Sequence, residues 1–244
     1  MTRAVLFLVE GNTEQVFYKK LLQKLYSTTE EIEFDSLPVS VRELLEPLRN
    51  RRPTVLRIQN TYTIIVNCGG FEGIKTVIRR LLIRRSELLK AIKAGLDTII
   101  VVADLDKSPI SSLQGVLSSQ GYSPQVSNNI IVINVEKLSL TFVIISQGHD
   151  ETARKDATKQ IEDYLEELAS QLYDDIAKAI NKLEEILNIS LNTKQKVLIY
   201  EAVLETKPRA IPRIAEKLLE EASEEILAKV LEQVVQLIRR HIHS

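Results

Sequence analysis

The sequence has little of several residue types that mark special classes of protein: its 244 residues include one cysteine, no tryptophan, 8 glycines and 7 prolines. Cys68 has no second cysteine with which to form an intramolecular disulfide, and zinc sites that need several thiolates are excluded. The shortage of glycine and proline excludes collagen-like chains and argues against a disordered one. No apolar run reaches the roughly 18 to 20 residues that a membrane-spanning helix needs. We therefore expect a soluble, cytoplasmic protein without a membrane partner.

The net charge of −1 hides an uneven distribution along the chain. Residues 1–110 carry 17 lysines and arginines against 13 acidic residues, whereas residues 111–244 carry 15 against 20. The arginines form two clusters, which comprise Arg42, Arg49, Arg51, Arg52 and Arg57 in the first and Arg79, Arg80, Arg84 and Arg85 in the second. Arginines grouped in this way are suited to binding a phosphate backbone. The alternative is that they cover apolar surface and pair with neighbouring glutamates.

Short apolar runs alternate with helical patterns over the first 150 residues. Runs typical of buried strands span 4–9, 63–67, 97–103, 130–135 and 140–145, and helical spacing spans 13–26, 73–94 and 110–119. Strands that are apolar throughout, with helices between them, are typical of parallel sheets with both faces covered. The sequence therefore predicts an α/β fold, with a mostly parallel, Rossmann-like sheet flanked by helices.

Beyond about residue 152 the strand-like runs largely stop, and apolar residues recur every three or four positions. One apolar stripe extends from Ile161 to Leu187 and a second from Ile214 to Ile238. We predict an all-α region over 153–244, following an α/β domain over 1–152. The stripes can be buried against one another, against the sheet or against a second copy of the chain. In the last arrangement the helices form a homodimer; a nucleic-acid-binding appendage is the other role considered for them.

Acidic residues follow two of the predicted strands. Glu10 comes directly after the first strand and Glu14 lies one helical turn later, while Asp104 and Asp106 follow the third strand. Ligands of open α/β sheets collect beyond the carboxyl ends of the strands. Carboxylates crowded there repel one another unless a cation neutralises them, and Mg²⁺ accepts such oxygen ligands. The pattern predicts a site for Mg²⁺ or Mn²⁺; the alternative is a helix-start acid and a chance D-x-D in a loop.

A glycine turn separates the predicted strand at 63–67 from the helix that follows it. Gly69 and Gly70 lie in this turn and Lys75 follows in the helix, an arrangement that can direct a helix N-terminus and a lysine toward a phosphate. The alternative is an ordinary tight turn. The spacing differs from the G-x-x-x-x-G-K-[ST] of a nucleotide-binding P-loop, so no ATPase domain is expected.

A polar, acidic segment follows the last predicted strand. Asp150 or Glu151 is a candidate for a second metal shell, and His149 is a candidate proton carrier. An exposed loop before a helix has the same composition, which is the alternative interpretation.

The order strand-Glu-Gly-x-x-Glu, strand with a glycine turn, strand-Asp-x-Asp resembles the TOPRIM domain. That domain is shared by topoisomerases, bacterial-type primases, recombination proteins and OLD-family nucleases. The segment 9–14 is most similar to OLD-type and small stand-alone archaeal TOPRIM proteins, and the resemblance covers about residues 1–150. The chain lacks the further domains of topoisomerases and primases, so those activities are not implied.

The resemblance implies roles for individual residues. Glu10 corresponds to a metal ligand or general acid/base, Asp104 and Asp106 to a magnesium-binding pair, and Glu14 to the second acid of the nuclease-type variant. Lys107, beside the aspartates, is placed to stabilise charge on a phosphate. The nucleic-acid contacts predicted with this site are Gly69, Gly70, Lys75, Arg79, Arg80 and Arg84.

The function implied is a divalent-metal-dependent nuclease or nickase that hydrolyses phosphodiester bonds of nucleic acid, with DNA favoured over RNA. One alternative is a TOPRIM-like scaffold that binds nucleic acid or a partner without turnover. The other is a metal-dependent phosphatase acting on small molecules.

Overall fold

An eight-stranded sheet lies between two layers of helices in the computed structural model, which describes residues 2–148, 159–204 and 211–242. The strands are β1 (Arg3–Val9), β2 (Thr29–Glu31), β3 (Thr54–Ile58), β4 (Thr61–Asn67), β5 (Leu96–Asp104), β6 (Gln125–Ser127), β7 (Ile130–Val135) and β8 (Leu138–Gln147). The helices up to β8 are α1 (Asn12–Leu25), α2 (Val39–Leu45), α3 (Phe71–Ile83), α4 (Arg85–Lys93) and α5 (Pro109–Ser119). Those after it are α6 (Ile161–Leu172), α7 (Asp174–Leu187), α8 (Thr193–Leu204), α9 (Pro212–Glu221), α10 (Glu224–Val230) and α11 (Glu232–Ile242).

The strand order is β2-β3-β4-β1-β5-β8-β7-β6. The four central strands are parallel to one another, whereas the pairs β2–β3, β3–β4, β6–β7 and β7–β8 are antiparallel. The α/β class with flanking helices is therefore confirmed, but the prediction of a mostly parallel sheet is wrong because the sheet is mixed. Apolar runs reveal that a strand is buried on both faces, and they carry no information on strand direction.

The central strand β1 divides the interior into two cores. Successive side chains of a strand point to opposite faces. Leu6 and Leu8 accordingly pack among α2 to α5, while Val5, Phe7 and Val9 pack among α1 and α6 to α11. The continuous apolar run of β1 is thus explained by helices on both faces.

The C-terminal helices share a core with α1 and the sheet. Ile161, Leu165 and Leu168 of α6 are buried in that core, as are Leu218 of α9 and Ile238 of α11. Both predicted stripes therefore turn mainly toward the sheet and toward each other. The division of the chain at residue 152 and the homodimer remain predictions.

The last part of α7 departs from this arrangement. Leu183, Ile186 and Leu187 are 40%, 69% and 55% exposed, so its apolar face extends beyond the core that the structure describes. Among the described residues, no helix has both the length and the apolar character to cross a membrane.

Most long elements match the ranges predicted from the sequence, with the predicted helix 73–94 divided into α3 and α4 at Arg84. The elements β2, α2, β3 and β6 were not predicted. They are three to seven residues long, and such short segments give too few periods for a pattern to be distinguished.

The carboxyl ends of the four parallel strands lie at one edge of the sheet. Val9 pairs with Asn67 across β1 and β4, and Asp104 pairs with Gln147 across β5 and β8. The segments that follow these strands, including Glu10, therefore meet at this edge.

The turn between β4 and α3 is fixed by close backbone packing. A methyl group at Gly73 would lie 1.8 Å from the carbonyl oxygen of Cys68, so only glycine fits there. This contact brings the first turn of α3 against the end of β4, and α3 therefore begins at the edge where the strand ends meet.

We expect Gly73→Ala to lower the free energy of unfolding by about 3 kcal/mol, because the added methyl group must displace backbone. Gly115→Ala is the matched control, since Gly115 lies in α5 with no atom near the new methyl group. It should raise the free energy by about 0.5 to 1 kcal/mol through helix propensity. Urea unfolding measures both values, and equal stability of the two variants would contradict the packing argument.

Candidate functional site

Glu10 and Asp104 are in direct contact although they are 94 residues apart. The backbone N–H of Asp104 donates a hydrogen bond to Oε1 of Glu10, with an N···O distance of 2.9 Å. The contact arises because β1 and β5 are neighbouring parallel strands, paired from Ala4 to Leu8, and both end at the same edge. Two acidic strand ends are thereby held side by side.

The glycine turn before α3 holds Glu10 from the other side. The N–H of Gly70 donates to the carbonyl oxygen of Glu10 at 2.7 Å, and the N–H of Phe71 donates to the Glu10 carboxylate. The N–H of Gly69 donates to Oδ1 of Asn67 at 3.0 Å. Gly69 and Gly70 adopt φ values of 71° and 96°, the region that favours glycine. These amides are therefore engaged within the protein, and the start of α3 stabilises the Glu10 carboxylate.

The acidic groups at this edge raise one another's pKa. Burial is the main cause of the raised pKa of Glu10, and the negative charge of Asp104 adds to it. Backbone hydrogen bonds and the positive charge of Lys107 oppose the shift. Burial also raises the pKa of Asp104, with further contributions from the charges of Asp106 and Glu162. Like charges are therefore held close together in a partly desolvated position.

Glu14 joins the same electrostatic cluster from α1. Its pKa is raised by burial and then by the charges of Glu162, Glu10 and Asp104. On its inner side lies Tyr18, whose hydroxyl accepts a hydrogen bond from Nε2 of buried Gln147 at 3.3 Å. Glu14 is thus within electrostatic range of both the buried tyrosine and the other carboxylates.

Glu162, in the first turn of α6, is a site residue that the sequence does not reveal. Its charge raises the pKa of both Glu14 and Asp104, which places it in the acidic cluster. It belongs to no motif, and an acid at a helix start is common because it favours the helix dipole. The packing of α6 against α1 brings it to the site.

Asp106 and Lys107 lie at the outer side of the cluster. Nζ of Lys107 is 2.9 Å from Oδ2 of Asp106, and the two side chains are 45% and 69% exposed respectively. The charges of Asp104 and Glu10 contribute to a raised pKa of Lys107, after its hydrogen bond and ion pair with Asp106. Asp106 is therefore paired with a cation in the protein, while its charge still acts on Asp104.

The predicted nucleic-acid contacts are distributed along α3 and beyond. Lys75 pairs with Glu72 and lies 5.4 Å from the centre of the Phe71 ring. Because α3 rises about 1.5 Å per residue, Arg79 and Arg80 lie well over 10 Å along the helix from its start at the site.

Arg84, at the end of α3, is used in internal packing. Its guanidinium donates to the carbonyl oxygens of Glu43 and Leu44 at 3.0 and 2.9 Å. Arg85, which follows, donates to the carbonyl oxygen of Gln120 at 3.1 Å. These two arginines connect α2, α4 and the segment after α5.

The predicted contributions of His149, Asp150 and Glu151 lie outside the described residues.

Arg51 lies beside the glycine turn and was not among the predicted site residues. Its Nη1 donates to the carbonyl oxygens of Cys68 and Asn67 at 2.6 and 3.3 Å. The Cys68 side chain is buried, and burial raises its pKa to about 12, with Arg51 lowering and Glu10 raising it. Arg51 and Glu10 therefore both lie within electrostatic range of one buried thiol.

The donor set of the site consists of carboxylate oxygens, which suit Mg²⁺ or Mn²⁺ rather than a thiophilic metal. In the ranges that the structure describes, no three histidine, cysteine or acidic side chains are arranged as a ready-made metal site. Mg²⁺ is commonly held by one or two carboxylates, with waters and substrate phosphates completing its shell. Glu10 and Asp104 together supply the two carboxylates that such a Mg²⁺ site needs.

No protein-family model matches the chain, and no curated protein matches it. Among solved structures, the crystal structure of hypothetical protein PH0156 from Pyrococcus horikoshii OT3 is similar, with a TM-score of 0.65. The similarity covers 98% of this chain and 95% of that chain, at 20% sequence identity. It shows a common fold over nearly the whole length, and the TOPRIM resemblance remains a prediction.

We expect Asp104→Asn to raise the Tm of the protein in EDTA at neutral pH by no more than a few degrees, because it removes a crowded negative charge that is partly screened by solvent. A raised pKa means that the charged form is disfavoured in the folded state. The gain should therefore vanish as the pH falls through that raised pKa, since wild-type Asp104 is then protonated too. Differential scanning fluorimetry across pH measures this.

The control is Glu136→Gln, an exposed acid in the turn between β7 and β8, which should leave Tm unchanged. Mg²⁺ should raise the Tm of the wild type more than that of Asp104→Asn. A lower Tm for Asp104→Asn in EDTA would show that crowding of charge is not the dominant effect.

Proposed function

We propose that the protein is a divalent-metal-dependent phosphodiesterase acting on nucleic acid, with its site at the carboxyl ends of β1 and β5. The observation that carries the proposal is the contact between Glu10 and the backbone of Asp104. It joins acids from distant parts of the chain at the edge where α/β sheets bind their ligands.

The raised pKa values of the acids support a cation at this position. Negative charges that raise one another's pKa destabilise the folded protein, and functional sites are where such arrangements are retained. Glu10 and Asp104 would hold Mg²⁺ or Mn²⁺, with Glu14, Glu162 and Asp106 nearby. A bound ion of this kind supplies Lewis acidity and neutralises charge on a phosphodiester.

The side chains have separate tasks in this proposal. Glu10 is held by the N–H groups of Asp104 and Phe71, so its carboxylate has a fixed orientation toward substrate. Glu14 lies beside these groups, and burial raises its pKa, so we assign it the role of general acid/base. Lys107 supplies a positive charge at the outer side of the cluster.

Purified wild-type protein should cleave nucleic acid in Mg²⁺ or Mn²⁺ and lose this activity in EDTA. We expect Asp104→Asn and Glu10→Gln each to lower the cleavage rate by about 100-fold or more, because each removes a charge at the reacting phosphate. Gel assays on supercoiled plasmid, single-stranded DNA and RNA measure the rates.

Glu136→Gln is the control for these variants and should cleave at the wild-type rate. Metal-dependent cleavage that survives Asp104→Asn would contradict the proposal. Hydrolysis of a small phosphoester with none of DNA or RNA would favour the phosphatase alternative.

At subsaturating Mg²⁺ the cleavage rate should fall on the acid side, with a midpoint above the ordinary range for carboxylates. Protons then compete with the metal for Glu10 and Asp104, whose pKa values are raised in the metal-free protein. Glu162→Gln removes one of the charges that raise the pKa of Asp104. We expect it to move the midpoint to lower pH. Rates measured from acid to neutral pH test this, and an unchanged midpoint would remove Glu162 from the site.

A second candidate function is nucleic-acid binding without turnover. The observation that favours it is the ion pair between Asp106 and Lys107, because it engages one of the two aspartates expected to bind magnesium. Metal-dependent binding in the absence of any cleavage would select this candidate.

A further inference from the structure

A second charged feature lies at the edge of the acidic site, in the segment 46–53 that leads into β3. This strand is antiparallel to β4, with Thr54 paired to Ile65. The start of β3 therefore lies at the same edge as the carboxyl ends of β4, β1 and β5. Arg51 and Arg52 belong to the first arginine cluster of the sequence, and they precede β3 directly.

Two anchors fix this segment to the elements that carry the acidic residues. Arg51 donates to the carbonyl oxygens of Cys68 and Asn67, just before the glycine turn. From α1, Nε2 of Gln15 donates to the carbonyl oxygen of Arg52 at 3.2 Å. The backbone of Arg52 is therefore held between the helix after β1 and the end of β4.

The position of Arg52 distinguishes it from Arg79 and Arg80, which also pair with no carboxylate of the described residues but lie along α3. Arg49, Arg57 and Arg84 each form an ion pair with a carboxylate. Arg52 is exposed, and no carboxylate in the described part of the chain pairs with it. Its backbone has φ 51° and ψ 62°, a left-handed conformation that glycine or asparagine adopts more readily. The two anchors fix the backbone from which this side chain extends, and its guanidinium is free to contact a ligand at the sheet edge.

We propose that Arg52 binds a backbone phosphate of a nucleic-acid strand that lies across the strand ends, passing Glu10 and reaching Lys107. This inference rests on the proposed function for the position of the reacting phosphate. Arg52 precedes β3 and Lys107 follows β5, three strand spacings away or about 14 Å. That distance equals about four steps of a stacked strand at about 3.4 Å each along its axis, and fewer steps of an extended strand. A single mononucleotide does not reach across it, so the ligand is a polymer.

The test is the binding of a fluorescein-labelled single strand of about 20 nucleotides, as DNA and as RNA, measured by anisotropy with Ca²⁺ in place of Mg²⁺. The variant is Arg52→Gly, because glycine accepts the left-handed backbone and removes the whole side chain, including its charge. The control is Arg57→Ala, which removes an exposed arginine near the opposite end of the same strand. Thermal unfolding verifies that both variants are folded.

We expect Arg52→Gly to weaken binding about fivefold. The slope of log K against log salt concentration should become shallower by about one, which corresponds to the loss of one phosphate contact. Arg57→Ala should change neither quantity. Wild-type affinity in Arg52→Gly, an equal loss in Arg57→Ala, or no binding by the wild type would overturn the proposal. If Arg52→Gly weakens the binding of a competing mononucleotide as much as that of the oligonucleotide, the inference of a polymeric ligand is wrong.

The outcome is separable from that of the proposed function. Binding that depends on Arg52, in a protein that cleaves nothing, supports this inference and contradicts the phosphodiesterase. Cleavage that depends on Glu10, with binding unaffected by Arg52→Gly, contradicts this inference alone.

Discussion

The parallel pairing of β1 with β5 is the constraint on which the site depends. It holds the carboxylate of Glu10 against the backbone of Asp104 and leaves both acids partly desolvated beside Glu14 and Glu162. Coulombic repulsion in such a place opposes folding, and the two apolar cores on the faces of the sheet supply the stability that offsets it. The site thus lowers the free energy of unfolding locally, and the large buried interior of the fold compensates for this.

The fold could be predicted from the sequence where elements were long and apolar. The runs that became β1 and β5 are buried on both faces, and their composition reveals this directly. Strand direction could not be predicted in the same way. The strands β7 and β8 are joined by a tight turn at Glu136, which has a φ of 57°, and such a turn forces antiparallel pairing. The short strand β2 pairs through its backbone, which leaves little trace in side-chain pattern.

The site was predictable only in part, for a related reason. Glu10 and Asp104 lie at the ends of apolar strands, so their proximity depends only on the pairing of those strands in the sheet. The strand pattern of the sequence is enough to predict that proximity. Glu162 reaches this edge through packing of α6 on α1, and Arg52 through anchoring of the segment 46–53, and neither arrangement has a sequence signature. The amides of Gly69 and Gly70 face inward because the fold uses them to fix Glu10 and Asn67.

The burial of Cys68 has a practical consequence. A thiol whose pKa is raised to about 12 carries almost no thiolate at neutral pH, and the thiolate is the form that reacts with alkylating reagents and oxidants. Since this is the only cysteine in the sequence, a new surface cysteine would be conjugated selectively to a maleimide dye. Distances between the sheet edge and a labelled oligonucleotide thereby become accessible to energy-transfer measurements in the otherwise native chain.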